Sequence, residues 1–419
     1  MFVLTPISVL LIALLFIHFI AEIALEKLNN RHAMAHISAV PFEYRSIIDQ
    51  ETYEKSIHYT LAKSAFRQVD SSARALGLSC VILIGLIPCA YEYFTKIFGT
   101  SPLGLALTFF AIELIFSVFH LPFSWWHQFR LEEKFGFNRS SQAIFWGDFV
   151  KNTLIEFIFF TPLLWIFFNF YNLTPNTWWL WCTTIAVAFQ VFMIIIYPIF
   201  ILPRFNKLTP LPNGSLKSKL LELARKAEFP IQNIFTMDGS KRSGHSNAFF
   251  TGIGNFRHIV LYDTLIQQLS EEELVAVLAH EIGHYKKQHI KKTLFIQSAL
   301  VFFAFWVIFS LNKLPTLLPA LGLNSSHSIV VLMIFFSKLS PSIFFFLSPI
   351  FCKLSRKYEY EADKFSHEMV GNAQPLVSSL HKLHTKNLSN LVPHPIYSGF
   401  YYSHPTLRER EQKLLSYDR

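Results

Sequence analysis

Apolar residues follow two arrangements along this chain. Seven stretches stay apolar for about 20 residues, the length an α-helix needs to cross a bilayer core: about 3–25, 75–95, 102–122, 153–172, 178–202, 293–312 and 328–352. Between them the pattern shortens. Pro203 and Pro210 break the fifth apolar stretch, and Leu216 to Glu228 reads as an amphipathic helix. The β-rich runs Ile234–Met237 and His258–Tyr262 bracket Ser246–Gly252, as in a small sheet. Gly136 followed by Asn138 suggests a turn after a short helix. Ser270-Glu271-Glu272-Glu273 is a capping box, with Ser270 as N-cap, and Leu274, Val275, Val277 and Leu278 continue the helix behind it. The expected class is a mainly α, polytopic membrane protein of seven transmembrane helices with one small sheet. Four parts follow: spans 1–5 within residues 1–202, a polar segment 203–292, spans 6–7 within 293–352, and a C-terminal segment 353–419.

Composition agrees. Of 419 residues 52% are hydrophobic and 45 are phenylalanine, while charged residues reach only 16%, against about 25% in an ordinary soluble domain. The N-terminal run lacks a basic flank and a small-residue cleavage site, so it reads as a retained span. With the N-terminus outside, 34 of the 37 lysines and arginines fall in inner segments and only Lys96 and Lys313 in outer ones. The net charge of +9 is therefore topology and not a nucleic-acid surface. Cys80, Cys89, Cys182 and Cys352 all fall in spans, where packing is the expected role, and no CxxC pair suggests a thiolate metal site. Charges within spans are costly and normally face one another or water. His18, Glu22 and Glu26 share one face of the first span, with Glu26 near enough to its end to reach the interface. Glu113 and His120 lie on the third, with Glu156, Gln190, Gln297 and Lys338 elsewhere, which points to a hydrated interior.

The chemistry centres on His280-Glu281-Ile282-Gly283-His284. Residues four apart share one helix face, so both imidazoles can reach a single metal ion while Glu281 reaches a water on it. That is the donor arrangement of a zinc peptidase. The metzincin continuation would need glycine at 287 and histidine at 290, and the chain has Lys287 and Ile290. A third ligand must come from elsewhere. After the seventh span, Glu359 and Asp363 share one helical face while Glu361 points away; Glu359 is assigned to the metal, and Asp363 to holding a ligand imidazole or donating a proton. A charged juxtamembrane helix is the structural alternative. His404, before Pro405, is a candidate oxyanion donor with Arg410 as its electrostatic partner, although spacing alone fits a surface histidine as well. Asn247 and Ala248 lie in the run nominated as a substrate-binding edge strand, and an ordinary hairpin fits the same residues.

The set HExxH…ExxxD, with His404-Pro405 and Arg410 beyond, resembles the integral-membrane zinc metallopeptidases called type I CAAX prenyl endopeptidases. Glu133-Lys134-Phe135-Gly136-Phe137-Asn138, Phe205–Leu211 and Ser246-Asn247-Ala248 extend the resemblance over most of the chain. It implies a helical barrel around a hydrated chamber with a gluzincin-like zinc site on the cytoplasmic side. It also implies one Zn2+ per chain, held by His280, His284 and Glu359. Glu281 would then be the base, Asp363, His404 and Arg410 would complete the site, and Asn247 and Ala248 would align the substrate backbone. The implied reaction removes three residues from proteins with a prenylated cysteine. The expected surroundings are a prenylated or extended peptide and membrane lipid around a monomer, in a bacterial inner membrane or the endoplasmic reticulum. Phe249-Phe250 replaces the tyrosine frequent after the Asn-Ala pair, which removes any hydroxyl role there. Two other readings remain open: a membrane quality-control protease, and a seven-span transporter or receptor with an incidental HExxH.

Overall fold

The computed structural model of the chain describes residues 5–231, 233–251, 258–314 and 329–419. Val3, Leu4, Gly252 and Ser328, at the margins of expected elements, lie outside them. The long apolar stretches are helices: α1 (Pro6–Ala35), α2 (Gln50–Ile84), α3 (Leu86–Phe98), α4 (Pro102–Trp126), α5 (Gln142–Leu173) and α6 (Trp178–Ile196) precede the polar segment. Among the described residues, six helices are each long and apolar enough to cross a membrane. The expected span at 75–95 is instead the pair α2–α3, bent by 65°. Gly85 makes the bend, ending α2 in the left-handed region at φ 70°, where a side chain would be strained. Leu10, Ile17, Phe119, Ile158 and Phe303 face outward, as a lipid-facing belt requires. Cys80 and Cys89 are also exposed, whereas Cys182 is fully buried and Cys352 is half-buried with its thiol 3.4 Å from Phe400 O, so the packing role expected of all four holds for these two.

The polar segment builds β1 (Leu208–Pro210), α7 (Ser215–Lys226), β2 (Asn233–Met237), β3 (Ala248–Thr251) and β4 (His258–Tyr262). Strand order is β1-β2-β4-β3, with β2 and β4 parallel and the outer pairs antiparallel. Ile259, Val260 and Leu261 are all buried, the pattern of a central strand covered on both faces. β3 is an edge.

Next comes α8 (Glu271–Lys286), which carries the HExxH residues and opens on the expected capping box between Ser270 and Glu273. Leu274, Leu278 and Ile282, one turn apart, bury one face against Ile234, Ile259 and Leu261 of the sheet and Leu220 of α7. The opposite face holds Ala276 in a second core with Tyr44, Tyr53 and Leu376. The motif helix is thus clamped from two sides.

The last elements are α9 (His289–Asn312), α10 (Ile329–Val370), α11 (Gln374–Lys386) and α12 (Leu407–Leu415). α10 runs 42 residues without interruption, about 63 Å at the helical rise, roughly twice a bilayer core. The seventh span and the third-ligand segment are therefore one rod, and the half beyond the membrane returns alongside α8.

Charges within the spans find one another. Glu113 pairs with Lys338 and accepts from Ser337 at 3.0 Å, and His18 contacts Ser342 at 3.0 Å. Gln190 and Gln297 bond at 2.6 Å. Glu26 is buried within the protein, 1% exposed and bonded to Tyr397 at 3.1 Å, with Arg67 at 3.2 Å.

Candidate active site

Gly283 lets α8 and α10 approach. A Cβ built there would stand 3.0 Å from the Cα and 3.1 Å from the carbonyl oxygen of Ala362. This contact sets Glu359, one turn earlier on α10, over the two motif histidines. The Nε2 atoms of His280 and His284 are 3.1 Å apart, and Glu359 oxygens lie 3.5 and 3.3 Å from them. The three donors fall within 4.8 Å of one another.

Four further residues converge on this cluster. Asp363, fully buried, takes a bond from His280 Nδ1 at 2.8 Å and a two-pronged one from Arg410, at 2.9 Å from Nε and 2.5 Å from Nη2. Because the carboxylate accepts at Nδ1, Nε2 is the nitrogen that loses its proton when His280 is neutral, and its lone pair then faces the cluster. Arg410, on α12, also comes within 3.6 Å of Glu359. His404 stands at the mouth, its side chain 63% exposed and its Nε2 3.4 Å from Glu359. Glu281 is half-buried beside the histidines.

The electrostatics ask for a cation. Burial works against protonating His280, but bonds to Asp363 and Glu359 outweigh it and push the imidazole up to about 9. Burial raises the Glu281 carboxyl above its ordinary range, with the two histidines opposing, which makes it a better proton acceptor. Glu359 Oε2 is buried without a hydrogen-bond partner. Two imidazoles facing a buried carboxylate, one toward each of its oxygens, with Oε2 lacking a hydrogen bond, fit a metal ion.

The expected sheet edge is present as well. Asn247 C=O accepts from Tyr262 N–H at 3.1 Å, so in this antiparallel register Ala248 turns its own N–H and C=O to the open edge. The Asn247 side chain takes the Ala248 N–H at 2.9 Å. Asn247 therefore spends its backbone carbonyl inward, and Ala248 is the residue facing out. His245 anchors the approach to this strand: it stacks on Phe137 at 4.1 Å and lies 3.4 Å from Glu132, which also accepts from Tyr59 at 2.7 Å. The Phe135-Gly136-Phe137-Asn138 turn is built here, with Gly136 at φ 84° and Asn138 bridged to Ser243. A cavity of about 680 Å³ opens beside the junction, with Lys63, His120, Glu132, Asp148 and Arg242 among its polar lining and Phe137, Phe145 and Phe149 among its apolar lining.

The sequence pattern does not mark His289 or Glu361 as site residues, Glu361 because it leaves the face shared by Glu359 and Asp363. His289 Nδ1 lies 3.0 Å from His284 Nδ1, and its Nε2 lies 3.0 Å from Glu361. A histidine five residues after His284 gives no helical register, since the chain turns at Gln288 between the two helices.

Apolar spans carrying a His-His-Glu cluster with a carboxylate beside it define an integral-membrane metallopeptidase. The chain belongs to peptidase family M48: residues 210–418 match that family's model, and residues 29–207 match the model described as CAAX prenyl protease N-terminal, five membrane helices. It is 37% identical over 407 residues to "CAAX prenyl protease 1 homolog" of Dictyostelium discoideum, covering 92% of each chain. With "CAAX prenyl protease 1" of Saccharomyces cerevisiae it shares 33% over 390 residues, 87% of this chain and 85% of that one. The crystal structure of S. mikatae Ste24p superposes with a TM-score of 0.91 at 29% identity, covering 98% of this chain and 99% of that one. The resemblance read from the motifs thus holds across both halves, and the transporter reading falls.

Proposed function

We propose that the chain is a zinc-dependent endopeptidase that removes the C-terminal tripeptide from proteins bearing a prenylated cysteine. The observation that carries the reading is the convergence of His280, His284 and Glu359 within 4.8 Å, with Glu281 adjacent. Relatives named CAAX prenyl proteases, similar over nearly the whole chain, supply the substrate class. Two imidazoles and one carboxylate are a donor set of catalytic zinc, and bound zinc would supply Lewis-acid polarisation of the scissile carbonyl.

The chain's own residues do the rest. Glu281 takes the proton of the attacking water and passes it to the leaving amine, the work for which burial raises its basicity. His404 donates to the carbonyl oxygen as charge develops there. Arg410 and Asp363 hold His280 in its ligating orientation. Ala248 pairs with the substrate backbone at the sheet edge, and Asn247 stabilises that edge. The lysine and arginine distribution supports a site on the cytoplasmic side with the N-terminus opposite. The cavity with its charged lining residues and the paired intramembrane charges support a hydrated chamber. All the donors come from one chain, in keeping with a monomer.

The test compares a farnesylated CAAX peptide with its unprenylated twin, in wild type, after chelation and in Glu281→Gln, with tripeptide release read by mass spectrometry. Release from the farnesylated peptide alone, lost on chelation and restored by zinc, is expected. Equal cleavage of both peptides would reassign the chain to general membrane proteolysis.

A further inference from the structure

The hydrogen-bond chain behind His284 has a direction that follows from the chemistry of its members. Glu361 lies 4.0 Å from Lys292 and 3.8 Å from Lys357, two cations that favour its ionised form. An ionised carboxylate only accepts, so the His289 Nε2 at 3.0 Å from it bears the proton. A neutral His289 then has a lone pair at Nδ1, and the His284 Nδ1 at 3.0 Å must donate to it. His284 in turn keeps its lone pair at Nε2, the atom that faces His280 and Glu359.

We infer that His289 and Glu361 are positioning residues for the metal: together they fix the tautomer and ring orientation of His284. This rests on reading His280, His284 and Glu359 as the ligands. His280 is backed directly by Asp363 at 2.8 Å, whereas His284 reaches its carboxylate through a second imidazole. A single helix, α10, supplies the third ligand and both backing carboxylates. His289 is built into place: it is 3% exposed and stacks on Tyr358 with ring centres 4.2 Å apart and planes 12° from parallel. Gln288 before it adopts φ 58°, an uncommon left-handed conformation for a residue other than glycine, and starts α9 directly beneath His284.

Two substitutions separate this role from packing. His289→Phe keeps a ring on Tyr358 and removes the acceptor. His289→Asn places a carbonyl oxygen about where Nδ1 stood. Zinc dissociation constants are measured on the purified full chain by competition with a chromophoric chelator, alongside melting of the metal-free protein. His289→Phe should bind zinc about 10–100-fold more weakly with metal-free melting unchanged, and His289→Asn should recover most of that loss. Glu361→Ala, at a partly exposed position, should weaken zinc by up to about tenfold, and it serves as the test where the Phe variant fails to fold. Wild-type affinity in His289→Phe, equal losses in Phe and Asn, or wild-type affinity in Glu361→Ala when that is the arm used, would overturn the relay. If wild type takes up no zinc, the ligand assignment itself fails and the relay with it. Zinc uptake by wild type but not by His284→Ala keeps that assignment, whatever the His289 variants do.

Discussion

Gly283→Ala adds one methyl group where α8 and α10 touch, and its two effects can be weighed. An alanine Cβ would meet Ala362 Cα at 3.0 Å, Ala362 O at 3.1 Å and Phe365 Cβ at 3.1 Å, so the helices must part by a few tenths of an ångström. Two of those atoms are backbone, and Ile282 and Ala362 are fully buried, leaving neither helix free to turn away. Overpacking of this kind costs about 1–3 kcal/mol. Alanine regains about 0.8–1 kcal/mol of helix propensity over glycine. Stability therefore falls by about 0–2 kcal/mol. Metal binding is the more sensitive quantity, because Glu359 rides on α10 three residues before Ala362. Metal–ligand distances tolerate about 0.2 Å, so the displacement should weaken zinc binding by about tenfold or more. The assay is chelator competition together with metal-free melting. Gly147→Ala is the control, since a Cβ there meets nothing within 4 Å and only the propensity gain remains. If Gly283→Ala binds zinc as wild type does, the close approach does not set the site and the reasoning fails.

Glu281→Gln should retain zinc and melt like wild type while the rate of tripeptide release falls by about 10²–10⁴-fold; a loss below tenfold would remove Glu281 as the base. Arg410→Met keeps much of the side-chain volume but strands the buried Asp363 carboxylate, at a cost of about 3–5 kcal/mol, and Asp363→Asn in the same chain should recover part of it in a melting experiment. Zinc affinity should rise with pH and level off near 9. The proton held on His280 up to about 9 competes with the metal for Nε2, so each unit below that costs affinity; a flat isotherm series from pH 6 to 9 would contradict it.

Much of this protein is written locally. Six of the seven apolar stretches, the Ser270–Glu273 capping box and the His280/His284 spacing depend on residues within a few turns of one another, and each stands where its pattern puts it, whereas the stretch at 75–95 is bent at Gly85. Pairing Glu359 with those histidines was also legible, because a carboxylate after a returning span is a short list to choose from. Tertiary structure alone decided how close α8 and α10 come, and that closeness turns His280, His284 and Glu359 into one cluster. It decided that α10 runs unbroken out of the membrane, that Ala248 rather than Asn247 faces the open sheet edge, and that Glu26 is buried against Tyr397. It also brought His289 and Glu361, 72 positions apart, to 3.0 Å. Periodicity reports only which face of its own helix a side chain occupies, whereas a hydrogen bond between helices depends on their separation and rotation, which the packing of the whole chain sets.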